Sequence, residues 1–147
     1  DTGLDYDSCF FFDEDVKVPL CEAKAQEGTV INPDKCVDHT HRKIVMYRYF
    51  SGASVYATTV GDEPNVVDAL GGTSGGHGTH ASGSIAGDAR TPGSSLGDWA
   101  SSYNGAAPKA KIAFDDIYNE EAAPDFLNGI PNDLAGGLLQ QSFDAGA

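Results

Sequence analysis

The sequence predicts an α/β fold, with a doubly wound and mostly parallel sheet. Two short runs, KIVMYRYF at 43–50 and AKIAFDDI at 110–117, are rich in the β-branched and aromatic residues typical of strands. HGTHASGSIAG at 77–87 lies between them, and a second helical pattern follows the second run. Strands that alternate with helices favour βα units and therefore a parallel sheet.

Composition limits the class of protein. A chain of 147 residues fits one domain. Its 22 acidic residues against 9 basic ones give a net charge of −13, and such a surface repels phosphate backbones, so we expect no nucleic-acid partner. No run of about 18 apolar residues occurs, so we expect no membrane-spanning segment.

The first strand follows a long polar segment. Residues 5–42 are interrupted by Pro19, Gly28 and Pro33 and carry all the cysteines. A plain connector of that length is uncommon in a compact domain. The pattern predicts an irregular surface insertion.

The segment at 77–87 is the most informative one. His77 and His80 are three residues apart and share a face if the segment is helical. A zinc pair is weakly supported, because the helical zinc signature has Glu after the first His and a spacing of four. The residues that follow are nearly all small, which makes a poor helix by propensity. They fit a largely buried helix that must lie very close to the sheet.

The last element is a predicted helix. Asn132 or Asp133 can cap its start, and Gly146 is placed to end it. Apolar residues recur between these points at near-helical spacing, namely Leu134, Leu138, Leu139 and Phe143.

Four segments, taken together, resemble one protein family. GHGTHASGSIAG resembles the histidine motif of the subtilisin-like serine proteases (the subtilases, peptidase family S8), and the initial Asp-Thr-Gly resembles their aspartate motif. YNGAAPKAKIAFDDI at 103–117 is similar to the family segment that leads into the next strand, and QQSFDAGA to a later helix. The residues of these segments are most similar to those of the Kp-43-like branch of the subtilases. The resemblance implies a three-layer subtilisin-like fold.

The resemblance also implies a chemistry. In this family a serine attacks the peptide carbonyl, a histidine takes and returns the proton, and an aspartate orients the histidine. His77 would be the base and Asp1 the orienting acid, with His80 in a structural role on the same helix. The expected activity is that of a serine endopeptidase on polypeptide substrates, secreted or lumenal, with no cofactor required for the chemistry.

The nucleophile has no match in the sequence. The family serine lies in a Gly-Thr-Ser motif after the histidine, whereas Gly72-Thr73-Ser74 lies before it and is not assigned that role. We therefore expect residues 1–147 to be part of a catalytic domain, truncated at both ends, with the serine and the oxyanion asparagine outside. The 76 positions from Asp1 to His77 exceed the compact family spacing, which again indicates an insertion at about 5–42. The alternative function is a catalytically inactive subtilase-like binding module.

Three cysteines lie in the predicted insertion. Cys21 and Cys36 bracket its polar centre, and a disulfide between them is the favoured pairing. Cys9 is expected to be buried or paired outside these residues. Three reduced thiols are the alternative.

Two further groups are candidate metal ligands. Asp13, Glu14 and Asp15 are candidates because subtilases often bind structural Ca²⁺, but no oxygen-rich loop has a ligand spacing that assigns a site. His39 and His41 could bind a metal, although an exposed loop is the favoured interpretation.

Asp-Thr-Gly is also the signature of aspartic proteases, in which two carboxylates share one proton. Those enzymes usually have Ser or Ala where Leu4 stands, and they need a second copy of the motif or a symmetric dimer. The sequence has no second copy. It therefore disfavours that class.

Overall fold

The computed structural model describes residues 1, 3–24, 35–51, 76–90, 101–117 and 133–146. Strand β1 spans Leu20–Lys24, β2 spans Ile44–Ser51 and β3 spans Ile112–Asp116. Helix α1 spans His77–Ala86, and a short 3₁₀ turn spans Ser101–Tyr103. A π-helical segment, Leu134–Leu139, continues directly into helix α2, Gln140–Asp144.

The strands form one parallel sheet in the order β1-β2-β3. Tyr47 in β2 is opposite Leu20 in β1 and Phe114 in β3. The two strands predicted from KIVMYRYF and AKIAFDDI are therefore neighbours and parallel, and the α/β class is confirmed.

An irregularity in the pairing of β2 determines which of its side chains lie on each face of the sheet. The pairing with β3 shifts between Ile44 and Met46. Ile44 and Tyr47 belong to one buried cluster, while Val45 and Met46 belong to another. Because strand side chains alternate between faces, we place these clusters on opposite sides of the sheet.

The first cluster is covered by the chain that precedes β1. Leu4 and Phe11 are fully buried and pack with Tyr47 and Phe114. The prediction of an irregular surface segment at 5–42 is therefore wrong at Phe11 and at strand β1. Both could be recognised in the sequence by their apolar residues. Phe11 lies in the run FFF, and the buried residues of β1, Cys21 and Ala23, are separated by a polar one.

Helix α1 packs through small residues, as predicted. Its buried face consists of Gly78, Ser82 and Ala86. A Cβ atom on Gly78 would lie 2.0 Å from the carbonyl oxygen of Gly3, so only glycine permits this approach. The prediction that the helix is largely buried is wrong, because one face alone is covered and Ile85 is 63% exposed.

The C-terminal helical region begins and ends where predicted. The Asp133 side chain accepts a hydrogen bond from the Gly136 N–H, and Gly146 has a φ of 96°. Its apolar residues do not form a buried face, since Leu134 and Phe143 are 51% and 70% exposed. The other predicted cap, Asn132, lies outside the described residues. No helix in the described ranges has the length and apolar character needed to cross a membrane.

Candidate active site at the edge of the sheet

Asp1 lies beside the carboxyl end of β3. Its amino group donates to the carbonyl oxygen of Asp115 over 2.9 Å, and its own carbonyl accepts from the N–H of Ile117 over 3.2 Å. Bonds to the residues on either side of Asp116 form the pattern of neighbouring parallel strands. Asp1 is thus placed at the sheet edge where open α/β proteins bind their ligands.

His77 is the first residue of α1. The preceding residue, Gly76, has a φ of 82°, a left-handed conformation that glycine adopts readily and that turns the chain into the helix. The imidazole of His77 is 62% exposed. The ring therefore stands at the helix N-terminus, accessible to an incoming group.

The two side chains meet. Oδ1 of Asp1 lies 2.7 Å from Nδ1 of His77, within the range expected for a hydrogen bond. A carboxylate can only accept here, so the contact favours the proton on Nδ1 and leaves Nε2 as a proton acceptor. The sequence motifs predicted this proximity across 76 positions.

Two buried hydrogen bonds and one exposed hydrogen bond hold the segment that carries Asp1. The Leu4 N–H donates to the Tyr47 hydroxyl over 3.3 Å, and that hydroxyl donates to Oδ2 of Asp116 over 2.8 Å. The Asp5 N–H donates to Oγ1 of Thr79 on α1 over 2.8 Å. Sequence reasoning missed these residues, although Asp116 at the end of an apolar strand and Thr79 inside the histidine motif were visible.

The histidines do not form a metal site in the described ranges. No group of three or more His, Cys, Asp or Glu side chains there is arranged to hold a metal ion. His80 and His39 are exposed. The structural role expected for His80 stays a prediction.

His41 has a different role from the one predicted. It is fully buried, and its Nδ1 accepts hydrogen bonds from the N–H groups of Lys43 and Ile44. Burial lowers its pKa, which favours the neutral ring. The prediction of an exposed loop is wrong at this residue, because the ring organises the turn that leads into β2.

The acidic run at 13–15 organises a turn. Asp13 accepts backbone hydrogen bonds from Asp15, Val16 and Arg42. Desolvation would raise its pKa, but these bonds outweigh it and hold the pKa below its usual value. Residues 13–16 line a cleft of about 260 Å³ together with Arg42 and Arg90, whose positive charges oppose cation binding.

Cys21 and Cys36 form a disulfide, with Cα atoms 4.9 Å apart. Both are buried and pack beside Val45 and Met46 on the second face of the sheet. Cys9 is exposed and forms no disulfide within the described residues, so the prediction that it is buried is wrong, while its pairing with a cysteine outside residues 1–147 stays a prediction. Gly72-Thr73-Ser74 lies outside the described residues.

Two known proteins are similar to this chain along its whole length. No protein-family model matches the chain. No solved structure matches it. The chain is 33% identical over 148 aligned positions to a protein of Dictyostelium discoideum named serine protease/ABC transporter B family protein tagB. It is 31% identical over 147 positions to tagD, which has the same description and comes from the same organism. Each alignment covers the whole of this chain and only 6% of the length of the relative. The similarity therefore indicates a protease-related region at most.

Proposed function

We propose that these residues form part of a subtilase-like serine endopeptidase, which hydrolyses polypeptide substrates through an acyl-enzyme. The contact between Asp1 and His77 carries the proposal. It combines an acid at the carboxyl edge of a parallel sheet with a histidine at a helix N-terminus. The similarity to two proteins named as serine proteases supports the same class.

Each residue has a defined task. Asp1 holds the His77 ring with its proton on Nδ1 and stabilises the imidazolium that forms during the reaction. Nε2 of His77 takes the proton of the attacking serine hydroxyl and then delivers it to the leaving amine. The serine and the oxyanion donor belong to segments outside residues 1–147, so these residues alone should not hydrolyse peptides.

The chemistry of this triad needs no cofactor. Acid–base transfer and the oxyanion donors supply the stabilisation of the transition state. The Cys21–Cys36 disulfide supports a secreted or lumenal location, because disulfides persist in oxidising compartments. Because the chemistry needs no metal ion, any bound Ca²⁺ would be structural, and a chelator should leave the chemical step unchanged.

The test uses the full-length protein that contains this chain. His77→Ala should abolish peptidase activity, and Asp1→Asn should lower kcat by about 10⁴-fold, because the amide favours the wrong tautomer. Ser84→Ala, which removes an exposed hydroxyl on the same helix, is the matched control and should keep activity. A serine-directed fluorophosphonate should label the full-length protein.

If the protein is instead a catalytically inactive binding module, these experiments should give the opposite result. A well-folded full-length protein that neither cleaves peptides nor reacts with the fluorophosphonate would support it. Full activity in His77→Ala would refute any catalytic role for this site.

A further inference from the structure

The contact between Asp1 and His77 cannot maintain its own geometry. The Asp1 side chain is 32% exposed and the His77 side chain 62% exposed. Exposed pairs of this kind contribute little, because water competes for both groups and holding two side chains together costs entropy. The relative position of the two residues must therefore be set by the backbone segments that carry them.

One side of the site is fixed to the sheet. Asp1 is bonded to the backbone of β3 through Asp115 and Ile117, and Leu4 is bonded to the buried hydroxyl of Tyr47. These bonds place the segment relative to β2 and β3. They do not place it relative to α1, which carries His77.

Thr79 makes the direct connection to the helix. Its Oγ1 accepts the hydrogen bond of the Asp5 N–H over 2.8 Å at an exposed position, next to the buried approach of Gly78 to Gly3 that keeps the two segments together. Thr79 follows His77 by two residues and Asp5 follows Asp1 by four, so the bond joins the two backbones beside the pair itself. Gly78 allows the close approach, because its missing side chain leaves room for the Gly3 carbonyl.

We infer that Thr79 is a positioning residue, whose hydroxyl sets the distance between Asp1 and His77 and thereby the tautomer of the His77 ring. The catalytic consequence depends on the proposed function, but the tautomer does not. When the Asp5–Thr79 hydrogen bond is lost, the Asp1 carboxylate should accept a hydrogen bond from Nδ1 of His77 in a smaller fraction of the molecules. The neutral ring then returns towards the Nε2–H form that isolated imidazole side chains favour, and Nε2 no longer accepts a proton.

The experiment combines a spectroscopic and a kinetic readout. In the full-length protein with ¹⁵N-labelled histidine, the two ring nitrogen shifts of His77 report the tautomer of its neutral ring. Thr79→Val, which keeps the shape but removes the hydroxyl, should shift the ring towards Nε2–H. In the full-length protein the same change should lower kcat about 10- to 100-fold with KM unchanged, since small misplacements of reacting groups cost that much.

Three variants serve as checks. Thr79→Ser retains an acceptor and should keep the wild-type tautomer and kcat. Ser84→Ala removes an exposed hydroxyl elsewhere on α1 and should have no effect. Thr79→Ala provides a second loss of the hydroxyl if the valine variant folds poorly, and thermal unfolding of each variant confirms that the fold is intact.

The outcomes separate the two proposals. A wild-type tautomer in folded Thr79→Val and Thr79→Ala would overturn the inference, and so would a Thr79→Ser variant as defective as Thr79→Val. A tautomer shift in a protein with no peptidase activity would support the positioning role and refute the proposed function.

Discussion

The guanidinium of Arg48 donates from Nε to Oδ1 of Asp115 over 2.6 Å, with the arginine side chain entirely buried. The same guanidinium donates to the carbonyl oxygens of Gly137 and Leu138, each over 2.9 Å. One side chain on β2 therefore links β3 to the π-helical segment on the second face of the sheet. The carbonyl of Asp115 also accepts from Asp1, so this link supports the strand beside the candidate site.

Arg48→Ala should be strongly destabilising. The substitution removes the charged partner of the Asp115 carboxylate, which keeps the Ser142 hydroxyl as a donor, and it removes the arginine donor of two carbonyl groups; breaking a buried pair in this way costs about 3 kcal/mol or more. The free energy of unfolding, measured by urea denaturation, should fall by that amount. Arg90→Ala is the matched control, because Arg90 pairs with Asp88 at an exposed position and should cost about 1 kcal/mol or less. Equal losses in the two variants would contradict this assignment.

His41 should make stability depend on pH in the mildly acidic range. Its pKa in the folded protein is lowered by burial, with Asp13 and Asp38 opposing the effect and Arg42 and Lys111 adding to it. The unfolded chain, with a histidine pKa of about 6.5, then binds the proton more readily than the folded one. The contribution of His41 is therefore fully present above that pH and is lost as the pH falls from there through the lowered folded pKa.

The measurement is the free energy of unfolding from urea denaturation at pH values between about 7.5 and 5, from about one unit above the unfolded pKa to about 1.5 units below it. His41→Asn is the matched variant, because the Asn Oδ1 can accept the hydrogen bonds of Lys43 and Ile44 but does not titrate. Its pH profile should be flatter than that of the wild type. An unchanged slope would show that another group causes the dependence.

The Cys21–Cys36 disulfide should stabilise the chain by about 3 kcal/mol, as the loop-entropy relation gives for a loop of this size. Cys21→Ala combined with Cys36→Ala should lower the melting temperature, and reduction of the wild type should have a similar effect. Cys9→Ser changes an exposed free thiol and should leave the melting temperature unchanged. A double variant as stable as the wild type would show that packing alone holds β1 in place.

Sequence reasoning succeeded where the information is local or where two segments resemble a known pair of motifs. The composition of β2 and β3 and the small residues of α1 predicted those elements, and the two motifs predicted the contact between Asp1 and His77. It missed β1, although Cys21 and Ala23 alternate with polar neighbours, because the strand is short and follows Pro19. The partnership of Thr79 with Asp5 was not predicted, since it joins residues 74 positions apart and, unlike the contact between Asp1 and His77, is marked by no recognised pair of motifs.

Two glycines of α1 should respond in opposite ways to alanine. Gly78→Ala would place a methyl group 2.0 Å from the Gly3 carbonyl oxygen, so the helix must move away from the Asp1 segment. The strain should exceed the gain in helix propensity and cost about 1–3 kcal/mol.

Gly83→Ala meets nothing closer than Cζ of Phe11, at 3.9 Å, which is an ordinary contact. This change should be neutral or stabilise the chain by up to about 1 kcal/mol, because alanine restricts the unfolded chain and favours the helix. Urea denaturation of both variants measures the difference, and the ring nitrogen shifts of His77 show whether the helix has moved. If Gly78→Ala is as stable as Gly83→Ala and keeps the wild-type His77 shifts, the close approach of α1 to residue 3 does not position the site.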